Sequence, residues 1–287
     1  MNGIIRVFPR RHKQYTSDDD YVFIIPLSRG QAPDVSCLPE YREVHICGVF
    51  SWDKAYCEHL AHQWRGITNK PVKLGGPAFG SSSDDFIPGM YIKKNIVFTT
   101  RGCNNQCEHC MVHRTEGRLR ELSTHPGNWI QDNNFLQASK AHKDKVFDML
   151  RTQWGICFKG GLQVDLIDSH FISNITSLRV KELWLACDSD NALPGAKKAI
   201  ERLKKAGFNR EKIRCYALVK GDRDKDEARL QEIYHAGALP MAMLYRDFSG
   251  TKTYYDSDTE RWARSWILPA AIKARMEKGT DYRQFSI

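Results

Sequence analysis

The chain lacks any run of about 18 apolar residues, so no stretch reads as a membrane-spanning helix. It shows no internal repeat and no low-complexity segment. Its N-terminus, MNGIIRVFPRRHKQY, has too short an apolar run for a signal peptide, and a cytoplasmic location is expected. In that compartment thiols stay reduced, so clustered cysteines point to a metal or to catalysis rather than to disulfides. Acidic charge is in deficit. The 287 residues carry a net charge of +9 and a pI near 9.1. Such a balance favours a polyanionic partner, usually nucleic acid, against the plainer reading of a basic soluble enzyme. The excess is locally dense only in RVFPRRHK and RWARSW…KARMEK.

A further lack concerns the cysteines. Three of the nine fall in FTTRGCNNQCEHCMV, as Cys103, Cys107 and Cys110 in a C-x3-C-x2-C spacing. Structural zinc takes four closed ligands, commonly from two C-x2-C pairs, and no second pair exists. Cys157, Cys187 and Cys215 stand singly in strand-like runs, where a cysteine is usually a small hydrophobe. Cys37, Cys47 and Cys57 are ten apart, which is no ligand spacing. Three thiolates on a 4Fe–4S cluster leave one iron open, and that iron can bind a substrate or cofactor.

From about residue 94 the sequence alternates between β-branched runs and helical runs. KNIVFTT, GNWIQDNNF, GICFKGG, KELWLACDSD, KIRCYALVKGD and ALPMAMLYRD read as six strands. Between them, ASKAHKDKVFDMLR, LIDSHFISNITSL, PGAKKAIERLKKAG and DKDEARLQEIYHAG read as helices. In the third of these, Ala196, Ala199, Ile200 and Leu203 share one face, and Gly207 ends it. Repeated βα units predict a parallel sheet with right-handed crossovers. Six units suit an open partial barrel or a doubly wound sheet, with the site at the carboxyl ends of the strands. The cysteine loop follows the first strand and so falls at that end.

The first 90 residues predict a smaller α/β unit, with strands in DYVFIIPL, EVHICGVF and KPVKLGGPAFG and a helix in DKAYCEHLAHQWRG. GSSSDDFIPG reads as the connection. Residues after about 250 read as one C-terminal helix rich in Trp and Arg. The expected division is 1–90, 91–248 and 249–287.

C-x3-C-x2-C in a loop after the first strand of a parallel βα array resembles the radical S-adenosylmethionine superfamily, over roughly residues 92–246. TTRGCNNQCEHCMVHRTEGRLREL is most similar to the members with a cobalamin-binding-like N-terminal domain and to the methylthiotransferases. One departure is His109, where the family usually has an aromatic residue before the third cysteine. The resemblance implies a partial (βα)6 parallel barrel with a small N-terminal Rossmann-like domain. It implies a 4Fe–4S cluster on Cys103, Cys107 and Cys110, with S-adenosylmethionine on the open iron. An external one-electron reductant of flavodoxin or ferredoxin type would drive cleavage to a 5′-deoxyadenosyl radical, which abstracts hydrogen from a substrate.

The resemblance also assigns cofactor contacts. WIQDNNF departs from the common Gly-Gly-Glu form, and Asp132, Asn133 and Asn134 are the candidates for the methionine amino group, against a plain strand-end turn. In KGGLQVDL, Gly160 and Gly161 permit close backbone approach or positive φ, and Gln163 and Asp165 are expected on the same face, against an ordinary strand-to-helix turn. In ACDSDNALPG, Asp188 and Ser189 fall where the family contacts ribose or carboxylate, with a helix cap as the competing reading. Gly221 resembles the glycine of the adenine-side motif, and MAMLY would line the adenine pocket. The Gly75–Gly76–Pro77 turn resembles part of a cobalamin domain, yet the D-x-H-x-x-G motif is absent and His45, His59 and His62 lack its context. Cobalamin is therefore not expected. Nor is methylthiolation, since a second cluster site and the RNA-binding C-terminal domain are lacking.

Three functions follow as expectations. The first is a radical enzyme that modifies or rearranges a base in DNA or tRNA, motivated by the charge and by ERWARSW; the compact size resembles phage-associated radical enzymes. The second is a radical isomerase or oxidoreductase acting on a small metabolite or peptide. The third is a non-catalytic iron–sulfur protein. The sequence leaves the oligomeric state open.

Overall fold

The computed structural model describes residues 3–12, 15–28, 38–80, 86–247 and 254–285. Cys37 lies outside them. The chain divides into two compact units, one running to Ile96 and including Arg114–Glu116, the other holding the rest of the described residues from Val97.

The first unit holds strands β1 (Ile4–Phe8), β2 (Val22–Ile24), β3 (Glu43–Cys47) and β4 (Val72–Gly75), with helix α1 (Lys54–Ile67) between the last two. The sheet order is β2-β1-β3-β4, and all three pairings are parallel. This is a Rossmann-like arrangement. Helix α1 sets Cys57, Leu60, Ala61 and Trp64 on one face, three to four apart, and this stripe packs on Ile5, Val7, Val44 and Ile46. The sequence reading did not foresee β1. Its five residues are all buried, and Arg6 sits in the middle with 2% exposure. The Arg6 guanidinium reaches the Met90 carbonyl and the Asp19 carboxylate, which makes a central arginine tolerable.

The second unit is built on strands β5 (Ile96–Val97), β8 (Trp129–Ile130), β9 (Ile156–Gln163), β10 (Val180–Ala186), β11 (Ile213–Val219) and β12 (Leu239–Leu244). Their order in the sheet is their order in the chain. The pairings β8–β9, β9–β10, β10–β11 and β11–β12 are parallel. Helices α3 (Lys140–Leu150), α4 (Ser169–Thr176), α5 (Leu193–Lys205) and α6 (Arg223–Ala236) fill the crossovers. A strand order that never reverses is that of a partial barrel, not of a doubly wound sheet, whose order switches direction. Two short strands, β6 (Thr100–Arg101) and β7 (Arg120–Glu121), pair antiparallel and close the cysteine loop at its base; α2 (Val112–Thr115) lies within that loop.

Two local expectations are corrected. GICFKGG is expected as the third strand, with a strand-to-helix turn as one reading of KGGLQVDL after it. The strand runs on to Gln163, and the glycines make an irregularity within it: Leu183 pairs with Phe158 but Leu185 with Leu162. The C-terminal stretch holds two helices rather than one, α7 (Ser257–Ser265) and α8 (Pro269–Lys278). Pro269 opens the second, because a proline ring blocks a continuing helix but suits a first turn.

Candidate functional site

The cysteine loop leaves the barrel at the carboxyl end of β5 and returns through β7. Gly102 makes its tight entry with φ at +80°, and a Cβ there would lie 2.2 Å from the Arg118 carbonyl oxygen. The Cys103 amide donates to the Gly117 carbonyl at 3.1 Å, and the Cys110 amide to the Cys107 carbonyl at 3.1 Å. All three cysteines are half-buried. Burial pushes the Cys107 thiol up first, and then the charges of Cys110, Cys103 and Asp188. The Cys110 thiol is pushed up by burial, then by Cys103 and Asp188. Burial and the neighbouring charges thus disfavour loss of the Cys107 and Cys110 protons, and a bound cation would offset that. Among the described residues, no three His, Cys, Asp or Glu side chains converge on a single ion. A cubane cluster does not require that, since each thiolate takes a different iron. A cavity of about 360 Å³ borders the loop, lined by Cys103, Asn104, Gln106, His113, Gly117 and Arg118.

The residues expected at the end of the second strand divide into distinct tasks. Asp132 is 1% exposed, and its carboxylate accepts from the Thr99 amide at 2.6 Å and the Thr99 hydroxyl at 2.5 Å. Burial pushes its carboxyl up, and these donors with Thr100 counter it. It therefore pins the root of the cysteine loop. Asn133 accepts from the Gly102 amide at 3.0 Å. Asn134 donates to Cys103 Sγ at 3.6 Å and to Gln163 Oε1 at 2.9 Å. Its own Oδ1 is buried with no partner.

Gln163 is the hub of this region. Its Oε1 also accepts from Asn105 Nδ2 at 3.0 Å and Gln137 Nε2 at 3.1 Å. Gln137 in turn donates to Asn105 Oδ1 at 3.0 Å and accepts from the Asn104 amide at 2.8 Å. Four carboxamides thus grip the residues just after Cys103. Gln137 was not foreseen, and the only sequence signal for it is its place three residues after Asn134.

The remaining expected residues are spread along the strand ends. Asp188 follows β10 and lies 3.6 Å from Nε2 of His109, the residue before the third cysteine. Burial pushes its carboxyl up, and His109 opposes that shift. Ser189 precedes a short 3-10 turn, and its side chain makes no cap hydrogen bond. Asp190 instead accepts from Arg229 at 2.6 Å. Gly221 follows β11, and its amide donates to Asp226 at 3.2 Å. Asp165 is exposed beside Gly195 and joins none of these groups.

The ERWARSW segment is not a stacking surface. Trp262 is 2% exposed and Trp266 fully buried. Both indole N–H groups donate to Glu227, Trp266 at 2.9 Å, and Arg275 pairs with the same carboxylate. Its indoles are spent on packing α7 and α8, while Arg261 and Arg264 stay exposed, Arg264 paired with Glu260.

No protein-family model matches the chain, and no curated protein matches it. Solved structures do. One is the radical S-adenosylmethionine methyltransferase TsrM from Kitasatospora setae with cobalamin and a [4Fe-4S] cluster bound: TM-score 0.59, 10% identity, 86% of this chain and 76% of that one covered. Another is TsrM from Kitasatospora setae with tryptophan substrate and the analogue aza-SAM bound: TM-score 0.58, 10% identity, 85% and 73% covered. At that identity the likeness shows the fold, which is the fold of radical S-adenosylmethionine enzymes.

Proposed function

We propose that this chain is a radical S-adenosylmethionine enzyme that modifies or rearranges a base in nucleic acid. The observation that carries the enzyme reading is the loop of three half-buried cysteines, held by uncharged amides at the carboxyl end of a partial barrel. Cys103, Cys107 and Cys110 would hold the 4Fe–4S cluster. The bound cluster and S-adenosylmethionine supply a 5′-deoxyadenosyl radical once an external flavodoxin- or ferredoxin-type reductant provides one electron.

The protein's share is positioning and exclusion of water. Asn134 Oδ1 is a buried acceptor suited to the methionine ammonium. Asp188 and Ser189 offer oxygens for ribose hydroxyls, and Gly221 leaves open space on the adenine side. Asp132 serves one shell out, through Thr99. Cobalamin stays outside this reading, because D-x-H-x-x-G is absent.

The nucleic-acid substrate rests on the net charge of +9 and on the basic residues of the loop, among which Arg118 and His113 line the cavity beside Cys103. A small-molecule substrate is the second reading. It is favoured by the sheet face opposite α3 and α4, where Lys159 lies 4.2 Å from the Trp184 ring centroid and 5.0 Å from that of Trp129 and pairs with Glu182. Such a wall suits a single compact ligand.

Anaerobic reconstitution with iron, sulfide, S-adenosylmethionine and a strong reductant tests the enzyme reading. It should yield 5′-deoxyadenosine, and Cys103→Ala should yield none. No 5′-deoxyadenosine from the cluster-loaded wild type would sink the proposal. Mass spectrometry of DNA and tRNA nucleosides, with and without expression, tests the substrate; unchanged nucleosides would favour the small-molecule reading.

A further inference from the structure

The N-terminal unit has features the reading above does not use. Its sheet order, β2-β1-β3-β4, changes direction between β1 and β3. In open parallel sheets, ligands bind at the carboxyl ends of the two strands that flank such a reversal. The segments leaving those ends are Pro9–His12 after β1 and Gly48–Asp53 after β3.

These segments carry aromatic rings, cations and unsatisfied polar atoms together. Phe50 and Trp52 stack with centroids 4.5 Å apart and planes 8° from parallel. His12 meets Phe50 edge-on at 5.2 Å. The Arg10 guanidinium lies 5.9 Å from the Phe50 centroid and pairs with Asp53, and Arg11 is exposed beside it. The loop after β3 is itself fixed, since the Gly48 amide donates to Gly75 at 2.9 Å and its carbonyl accepts from Ala78 at 3.1 Å. Asp53 is 5% exposed, yet its Oδ2 has no hydrogen-bond partner. His12 Nε2 is likewise buried and unpartnered. Burial and the Arg10 charge push the His12 imidazole toward its neutral form. A buried acceptor without a donor costs stability that a ligand N–H recovers.

We infer that this switch point binds one nucleotide unit. The base stacks on the Phe50–Trp52 platform, a base N–H or amino group donates to Asp53 Oδ2, and Arg10 with Arg11 faces the phosphate. The features match what single-stranded nucleic acid asks of a binding surface: an aromatic face and flanking positive charge. The inference deepens the nucleic-acid reading and rests on it for the source of the ligand. It needs no cluster.

The test uses the full chain without its cluster. Binding is measured for a fluorescein-labelled single-stranded oligonucleotide, for a nucleoside 5′-monophosphate and for aquocobalamin, using wild type, Trp52→Ala and Trp52→Phe. The wild type should bind the oligonucleotide with an affinity that falls as salt rises. Trp52→Ala should weaken it about fivefold or more, and Trp52→Phe far less. Tighter binding of the oligonucleotide than of the monophosphate marks a strand as the source, and the reverse marks a free nucleotide. Two results would overturn the inference. In the first, Trp52→Ala, folded by circular dichroism, binds both nucleotide probes as wild type does. In the second, aquocobalamin alone depends on Trp52. Because the protein is tested without its cluster, a failure of the radical chemistry and a failure of this site are read separately.

Discussion

Asn134 joins the sulfur of Cys103, at 3.6 Å, to the amide hub at Gln163, at 2.9 Å. Cys103 Sγ also accepts from the Asn105 amide at 3.4 Å. Hydrogen bonds to a cluster sulfur favour its reduced, more negative state and so raise the potential. Removing one of about 1 kcal/mol corresponds to roughly 40 mV for a one-electron couple. Asn134→Leu should therefore lower the midpoint potential by tens of millivolts while the iron content stays near wild type. An EPR-monitored titration reads both. An unchanged potential in a fully loaded variant would show that the contact does not tune the cluster.

Lys159→Met tests the ion pair across β9 and β10. Burial pushes the Glu182 carboxyl up, but Lys159 and Trp184 more than reverse it, so the group sits below its ordinary value. A depressed carboxylate contributes stability above its unfolded value of about 4.3, and that contribution is lost as pH falls through the folded value. Without Lys159, burial of Glu182 is opposed only by Trp184 and Arg214, so the depression weakens. The variant should be about 2 kcal/mol less stable at neutral pH, a figure reduced from the usual cost because Glu182 is not fully buried. The deficit should shrink toward about pH 4. Urea melts across that range check this, and a constant difference would contradict it.

Gly160→Ala should be severely destabilising. A Cβ at Gly160 would lie 1.6 Å from the Asp132 carbonyl oxygen, and backbone on both sides leaves no easy relief. A loss of about 3 kcal/mol or more is expected. Gly66→Ala is the control. It sits within α1 with nothing near the new methyl, and should gain about 0.5–1 kcal/mol. Thermal melts of the two variants should move in opposite directions.

Glu227→Ala separates packing from nucleic-acid binding. It strands two indole N–H groups and Arg275, and should cost about 3 kcal/mol. Oligonucleotide affinity below the melting range should not change. A large affinity loss in the folded variant would return ERWARSW to the candidate interface.

The fold was legible where local pattern and tertiary role agree. The helix with Ala196, Ala199, Ile200 and Leu203 on one face buries those four residues. Four of the six strands of the second unit fall within the runs expected for them; β9 runs two residues past its run and β10 begins one residue before its own. β1 was not legible, because a five-residue apolar run interrupted by Arg6 offers neither alternation nor length. The cysteine site announced itself through close spacing. Its supports did so only in part: Asn134 and Gln163 were expected as cofactor contacts, while Asn105 and Gln137 were not expected, since the four span 59 positions and amides are common in any loop. The tryptophans of ERWARSW misled for a related reason. Composition records that a ring and a guanidinium are neighbours, but not that Glu227, more than 30 residues away, occupies both indole N–H groups.

Carboxamides neither gain nor lose protons in the range where proteins are stable, and they carry no net charge. A loop gripped by Asn105, Asn134, Gln137 and Gln163 keeps the same hold in acid and in base. It also adds no negative field to a site already crowded with thiolates. The Asp188 carboxylate, by contrast, lies 3.6 Å from His109 within the cysteine loop. The carboxamide hold on the residues after Cys103 is thus insulated from pH, whereas the root of the loop, pinned through the Asp132 carboxylate, is not.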